Sequence, residues 1–518
     1  MRKLFPLGAA LCAALSAAAC SSGSAPSGDP TDGSSTSTGT TGGGSSGSTS
    51  PPNTQPPQTQ PPPTPAPAPE PEFTRVWFVA PAGSDTGLGT EVSPFRTITR
   101  AIVAVAPGEA VFVAAGTYPE TLALGARAGV DGKPITIRGK GLPKIVPSGR
   151  PDAMVQFTRP YWVLEGFDLD VQGLAKYAVS FTGDVRGSVL RDSDVHGGSL
   201  GAGVTTFGGA TGATIIGNEI HHFWRSGDDA HGVLVQWTSR DITIRGNDIH
   251  HNSGDAVQCI GPETFADATP ASGVVIEDNH LHDGVENAVD IKTCSNVVIR
   301  GNTMHGFRMA PAGQGARGDA VVIHMSASNV LVEDNEISDA GRGVSLGGNR
   351  MGPMPAGVVI RRNRIHDTVV VGGTDGVGIG VENSEGARVE QNTFTRIAGY
   401  ALRVGGGTNG PTDNLTVKNN IVDAASAVRV GYFAPGLVVN SNLYPVGAAF
   451  MVELVPKSWD EWRALGQDGR SVLGSPGFAP TDSFFPGAIV VDRGELLGAT
   501  YCGSAPDLGA IETGCAGS

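Results

Sequence analysis

The chain has few of the residues that build a compact aromatic core. Phe, Trp and Tyr are 6% of its 518 residues, which argues against a core of large rings. It has no basic excess either. The 36 Lys and Arg stand against 50 Asp and Glu, a formal net charge of −14. A nucleic-acid partner, whose phosphates need a basic face, is therefore not expected. An acidic polymer can be held only by a local Lys/Arg cluster or through a bound cation. Leucines are too sparse for a leucine-rich repeat, and the Trp-Asp signals of propeller blades are missing. From about residue 160 onward no useful stretch has a 3.6-residue apolar period. After the N-terminus, no apolar run is long enough to cross a membrane as a helix. The cysteine spacing fits no zinc site.

Glycine is abundant, at 75 residues, with 36 prolines. The N-terminus, MRKLFPLGAALCAALSAAAC, has a basic start, a short apolar run and small residues before Cys20. It reads as a secretory signal over residues 1–19, too short to span a membrane as a mature helix. Cys20 after Ala17-Ala18-Ala19 resembles a bacterial lipobox, in which the cysteine becomes the lipidated first residue. Plain secretion stays open, because Ala17 stands where that pattern prefers Leu. Residues 20–73 are Gly/Ser/Thr-rich and then Pro-rich, a flexible coil and a stiffer spacer that cannot bury a core. The expectation is a tether that holds a monomeric body at a bacterial outer membrane or cell surface and meets the membrane only through its lipid. Export permits disulfides. Cys502 and Cys515 close a short loop and are the expected pair, while Cys259 and Cys294 stay open.

From about residue 160 the chain repeats itself. Phrases such as ITIRGNDIHH, VVIEDNHLHD and VLVEDNEISD each hold an apolar β-branched run, an Asn and another apolar residue. The anchors are Asn218, Asn247, Asn279, Asn302, Asn335, Asn363, Asn392 and Asn420, spaced by 23 to 33 residues. Short alternating strands in units of this length predict an all-β, right-handed parallel β-helix over residues 74–445. Residues 446–518 are expected as a C-terminal cap segment. The Asn is expected inside, its amide bonded to turn backbone and to the next Asn.

Two residues before the Asn, from Asn247 onward, stand Arg245, Glu277, Arg300, Glu333, Arg361, Glu390 and Lys418. At ~4.8 Å between stacked strands each charge falls between opposite ones. An exposed column of this kind helps set register and adds little stability. A third column, three residues past the ladder, holds His196, His221, His250, His282, His305 and His366. One histidine per coil is expected as a property of the repeat, since metal ligands have to converge at one place.

The stretch ENAVDIKT, Glu286 to Thr293, differs from these regular columns. Val289 and Ile291 should face the core, so alternation sends Glu286, Ala288, Asp290 and Lys292 outward. Aligning coils places Asp255 near Asn287 and Gln258 near Asp290. It places Asp319 under Glu286, His231 in the Glu286 column and Trp237 in the Lys292 column. His324 falls in the inward column with Cys259 and Ile291. Like charges stacked at strand spacing repel. A calcium ion at Asp255, Glu286 and Asp290 relieves that repulsion, since calcium takes carboxylate oxygens. Lys292 beside a cation has a lowered pKa and is the expected base. Trp237 and Asp319 are the expected substrate contacts. A solvated acidic face carrying one lysine is the alternative.

The segment WFVAPAGSDTGLGTEVSPFRTITRAIVAVAPGEAVFVAAGTYPETL closely resembles the N-terminal cap of exported right-handed β-helix proteins, family-nine pectate lyases among them. It contains a capping helix from about Ile98 to Val105. SWDEWRALGQDGRSVLGSPGF and SAPDLGAIE resemble the terminal segments of the same proteins. In those lyases an Asp on one coil and D-D-x-x-D on the next hold calcium, and a lysine on a later coil is the base. Here Asp255 is followed by E-N-x-x-D, with Lys292 directly after. The resemblance implies calcium-dependent β-elimination on a uronic-acid polymer, an acidic polysaccharide. ENAVDIKT also resembles the DDCxAIKSG motif of polygalacturonases, which hydrolyse with paired aspartates. Glu286-Asn287 replaces that pair, and an amide is neither acid nor base. A non-catalytic polysaccharide-binding or adhesion protein on the same scaffold is the remaining expectation.

Overall fold

Val and Ile at alternate positions make strands that bury one face, and Gly and Asn between them turn the chain after a few residues. In the computed structural model these strands stack coil on coil as a right-handed parallel β-helix. The structure describes residues 72–515 except 262–268, 309–317, 348–353, 372–373, 406–411, 432, 479–483 and 499. The expected signal, Cys20 and nearly all of the expected tether lie outside the described residues. From Glu70 onward the chain forms one compact unit.

Each coil feeds three ladders. The first stacks Ile215, Ile244, Ile276, Ile299, Val332 and Ile360 in register. The second stacks Val233, Val257, Val289, Val321 and Val344. The third is a separate 14-stranded sheet with Ile249, Leu281, Met304, Ile337 and Ile365 inside. All of these side chains are buried. Each full burial contributes about 1.5–3 kcal/mol, and a coil achieves it only against its neighbours. Two 15-residue strands, Tyr177–Arg191 and Ala202–Ile216, run through the first two ladders and join them. The first bends at Gly183 and Gly187, with φ of 70° and 66°, where its register shifts. Glycine adopts that backbone region without steric cost.

The asparagine ladder is continuous. From Asn218 to Asn442 each Nδ2 donates to the Oδ1 of the next Asn at 2.9–3.1 Å. The charged column is also in place, but it is not the exposed feature expected from the sequence. Glu277, Glu333 and Glu390 are only 3–5% exposed, because long arginine side chains lie across them. Glu277 accepts from Arg245 Nε and Arg300 Nη2, each at 2.6 Å. The hydrogen bond from Arg300 is the chief cause of its lowered pKa. Lys418 leaves the column for Glu495 Oε2 at 2.7 Å.

Both ends are closed. The helix Ile98–Ala104 starts at Thr97, whose Oγ1 accepts from Arg100 N at 3.1 Å, and it buries Ile98, Ala101 and Ile102 over the first coil. At the far end Ala449–Val452 pairs antiparallel with Val455–Lys457. This is the one antiparallel pairing between strands among the described residues. The helix Trp459–Arg463 follows and stacks buried Trp462 on Phe450. Parallel pairing continues to Val472–Leu473, so the sheets run past residue 445. The last segment then turns back along the outside, where Val490 and Leu508 pack on Ile421 and Leu443. Cys259 is bonded to Cys294, and Cys502 to Cys515.

Candidate functional site

Glu286 and Asn287 lie in the turn before the strand Val289–Ile291, Asp290 points from its outer face, and Lys292 follows. Strict alternation holds only within the strand. Ala288, expected outward, precedes it and is fully buried. Val289 pairs with Val321 and Ile291 with Ile323. Asp319 therefore stacks on Asn287 rather than Glu286, and His324 on Lys292 rather than Ile291. A one-residue slip moves a side chain to the opposite face. His324 is thus a cleft residue, not the core residue expected from the sequence, and its Nε2 lies 3.0 Å from Asp290 Oδ1.

Similar corrections apply two coils earlier. His231 belongs to the column of Asp255, Asn287 and Asp319, not that of Glu286. Gln236 pairs with Ile260, so Trp237 falls one position beyond Lys292. It is 43% exposed and does not line the cleft. Asp255 is fully buried behind the cleft. Its Oδ2 accepts from Gln258 Nε2 at 2.6 Å and its Oδ1 from Asn287 Nδ2 at 2.9 Å.

The remaining expected residues converge. Glu286, Asp290, Lys292 and Asp319 line one cleft of about 250 Å³. Later coils add His324, Arg342, Ser345, Glu382 and Arg403, none of them expected from the sequence. Lys292 Nζ is 3.5 Å from Asp290 Oδ2. Arg403 reaches Glu382 at 3.1 Å and Asp375 at 2.9 Å. Arg342 reaches Asp375 at 2.6 Å and lies 3.7 Å from Asp319.

Charge and burial compete in this cleft. Burial, then Asp229 and Asp290, push the Glu286 carboxyl up to about 8, so it holds a proton at neutral pH. Burial, then Glu286 and Asp290, raise Asp255 well above the carboxylate range. Burial also pulls His231 down to about 4. For Lys292 burial favours the neutral amine, but Asp290, Asp255 and Glu286 outweigh it and the pKa rises. That direction is opposite to the one a base needs. Five buried polar atoms in the cleft lack a hydrogen-bond partner: Glu286 Oε2, Asp290 Oδ1, His324 Nε2, Ser345 Oγ and Arg403 Nε. The 3.0 Å approach of His324 to Asp290 is therefore close but misaligned for a hydrogen bond. One ligand atom each from His231, Asp255 and Glu286 lies within 4.8 Å of the others. Asp290 is outside that group and engages Lys292 and His324.

Coil geometry, ladders and caps together define a right-handed parallel β-helix protein. Residues 167–310 and 266–422 match the family described as "Right handed beta helix region". Among curated proteins, the uncharacterized protein YwoF of Bacillus subtilis (strain 168) is 27% identical over 211 residues, 37% of this chain and 44% of YwoF. The chain thus spans less than half the length of that relative. Among solved structures, pectate lyase Pel9A is similar with TM-score 0.43 and 19% identity over 85% of this chain and 97% of its own. The alginate lyase AlyGC gives TM-score 0.53 and 14% identity over 74% of this chain and 53% of its own. At these identities the likeness is one of fold.

Proposed function

We propose that the cleft binds a stretch of acidic polysaccharide and cleaves it by β-elimination. The observation that carries this reading is a set of buried polar atoms around one cleft that lack a hydrogen bond: Glu286 Oε2, Ser345 Oγ and Arg403 Nε, with the misaligned ion pair of Asp290 Oδ1 and His324 Nε2 beside them. Each such atom costs about 1–3 kcal/mol if left unsatisfied. Their concentration is supportable where a hydroxyl- and carboxylate-bearing ligand completes them. Lys292, Arg342 and Arg403 supply the positive charge that a uronate requires in an otherwise acidic protein. The fold is one on which an alginate lyase is also built.

In this reaction a base removes the proton alpha to the sugar carboxylate, and the carbon–oxygen bond to the leaving sugar breaks as the double bond forms. His324 is the base proposed here, since an imidazole is a common general base and this one lines the cleft with Asp290 3.0 Å from its Nε2. Lys292 and the arginines stabilise the negative charge that develops on the carboxylate. Calcium is part of the proposal. The unpartnered Oε2 of Glu286, backed by Asp255 and joined by Asp290 once it releases Lys292 and His324, would suit a hard cation, which when bound would supply further charge against the substrate carboxylate. With those carboxylates engaged, Lys292 loses the partners that hold its proton and becomes the other base within reach.

The experiment is incubation of the purified protein with pectate, alginate and a neutral glucan, with calcium or with chelator. Both unsaturated-product absorbance and new reducing ends are followed. Absorbance on a uronate supports the lyase reading, and its dependence on calcium tests the cation. Reducing ends without absorbance indicate hydrolysis, a second reading favoured by the raised pKa of Glu286 near Asp290, since hydrolysis pairs a protonated carboxyl with a carboxylate. Retention on polysaccharide gels with no product leaves a binding protein. We also propose export and lipid attachment at Cys20, on the strength of the N-terminal sequence. Secretion of the wild type without incorporating labelled palmitate rules out the attachment.

A further inference from the structure

Eight of the chain's 11 histidines form one strip on consecutive coils of the third ladder, away from the cleft: His196, His221, His222, His250, His251, His280, His282 and His305. The rings stack coil on coil, with centroids 5.2 Å apart for His196–His221, 5.1 Å for His221–His250, 4.8 Å for His250–His282 and 5.2 Å for His282–His305. Carboxylates from the preceding coil hold one nitrogen of several rings. His196 Nε2 is 2.9 Å from Asp168, His221 Nε2 2.9 Å from Asp194, and His282 Nε2 2.9 Å from Asp248. A carboxylate on one imidazole nitrogen sets the tautomer and leaves the other nitrogen with a free lone pair, the usual support for a metal-binding histidine.

At one point two nitrogens without a carboxylate partner meet, on His280 and His305. His282 beside them has its Nε2 and Nδ1 each 2.9 Å from a carboxylate, Asp248 and Asp283, and gives up one of these to bind an ion. Asp248 Oδ1 lies 3.2 Å from His280 Nδ1, and His280 Nε2 lies 2.9 Å from His305 Nε2. Ligand atoms of His280, His282 and His305 all fall within 4.8 Å of one another. Two imidazole nitrogens on one tetrahedral zinc ion stand roughly 3.3 Å apart, given bonds of 2.0–2.1 Å, so a small opening of the pair admits an ion. The side chain of His280 is 45% exposed, so an ion can reach it from solvent.

We infer that His280, His282 and His305 form a binding site for a borderline divalent transition-metal ion such as zinc, with water completing its coordination. Imidazole suits zinc, copper and nickel, whereas calcium and magnesium prefer oxygen. The site is thus chemically distinct from the carboxylates of the cleft.

The test is equilibrium dialysis of the full, metal-stripped chain against zinc chloride near pH 7.5, with magnesium chloride in parallel. The expected result is zinc binding in preference to magnesium, weakened roughly tenfold or more in His280→Ala/His305→Ala. His366→Ala, on a later coil outside the strip, should bind zinc as the wild type does. Circular dichroism checks the fold of each variant. Single His280→Ala gives the same reading should the double variant not fold. No zinc binding by the folded wild type, or binding equal in the wild type and the strip variants, overturns the inference.

Discussion

Lys292 and His324 occupy one column on successive coils and share Asp290 between them. Lys292 Nζ is 3.5 Å from one carboxylate oxygen, and His324 Nε2 is 3.0 Å from the other. The first prediction separates their roles. His324→Ala should lower turnover on the active uronate by roughly 10²-fold or more, the contribution typical of general base catalysis, while retention on a polysaccharide gel persists. Lys292→Ala should weaken both turnover and retention. If instead turnover collapses only in Lys292→Ala, the base is Lys292.

The second prediction concerns pH. Glu286 has its folded pKa raised from 4.5 to about 8, so the folded state binds the proton more tightly than the unfolded state. Its contribution to stability is fully present below about pH 4.5 and is lost as pH rises towards 8. Glu286→Gln should flatten this part of the stability profile measured by urea unfolding. Divalent-cation binding to this carboxyl displaces the proton, so cation affinity at the cleft should increase over the same interval. A wild-type profile unchanged by Glu286→Gln contradicts the assignment.

The third prediction tests the ladder. Asn302 Nδ2 donates to Ile276 O and to Asn335 Oδ1, and its own Oδ1 accepts from Asn279. Asn302→Ala takes partners from buried groups on both neighbouring coils, Ile276 and Asn279 on one and Asn335 on the other. At about 1–3 kcal/mol for each unsatisfied group, the loss should be several kcal/mol, read as a lower denaturant midpoint.

The fourth prediction concerns the disulfide beneath the cleft. Cys259 and Cys294 close a loop across a sequence separation of 35 residues. Replacing both with Ala should cost about 4 kcal/mol on the loop-entropy account, seen as a lower Tm. It should also reduce polysaccharide retention, because the bond ties the coil of Gln258 to that of Lys292.

The repeat is legible in the sequence, and the cleft is legible only where it coincides with the repeat. The Asn ladder was legible because one amide returns at the same corner of each coil, and the stacked bonds demand that regularity. The burial of Glu277 and Glu333 was not legible, since column spacing does not tell how far an arginine folds over its partner. The cleft was found through ENAVDIKT but misregistered. Aligning Asp319 with Glu286, rather than Val321 with Val289, shifts the coil by one residue and turns His324 inward. Arg342 and Arg403 were missed because RGVSL and ALRVG carry no recognisable motif. Carrying the paired columns forward, from Asp319 to Arg342 and from Gly380 to Arg403, brings both to the site.

The antiparallel strand Val455–Lys457 also bears on how the solenoid ends. A parallel coil leaves a row of free amides and carbonyls with the same pitch and direction as the coil before it, an invitation to any identical chain. Reversing the last strand of the large sheet changes that hydrogen-bond pattern there, though the third ladder still ends on the parallel strand Val472–Leu473. Trp462 seals the hollow behind the reversed strand. The last rung therefore no longer matches the first. Growth from chain to chain, to which a repetitive β architecture is prone, meets a terminator written into the chain itself.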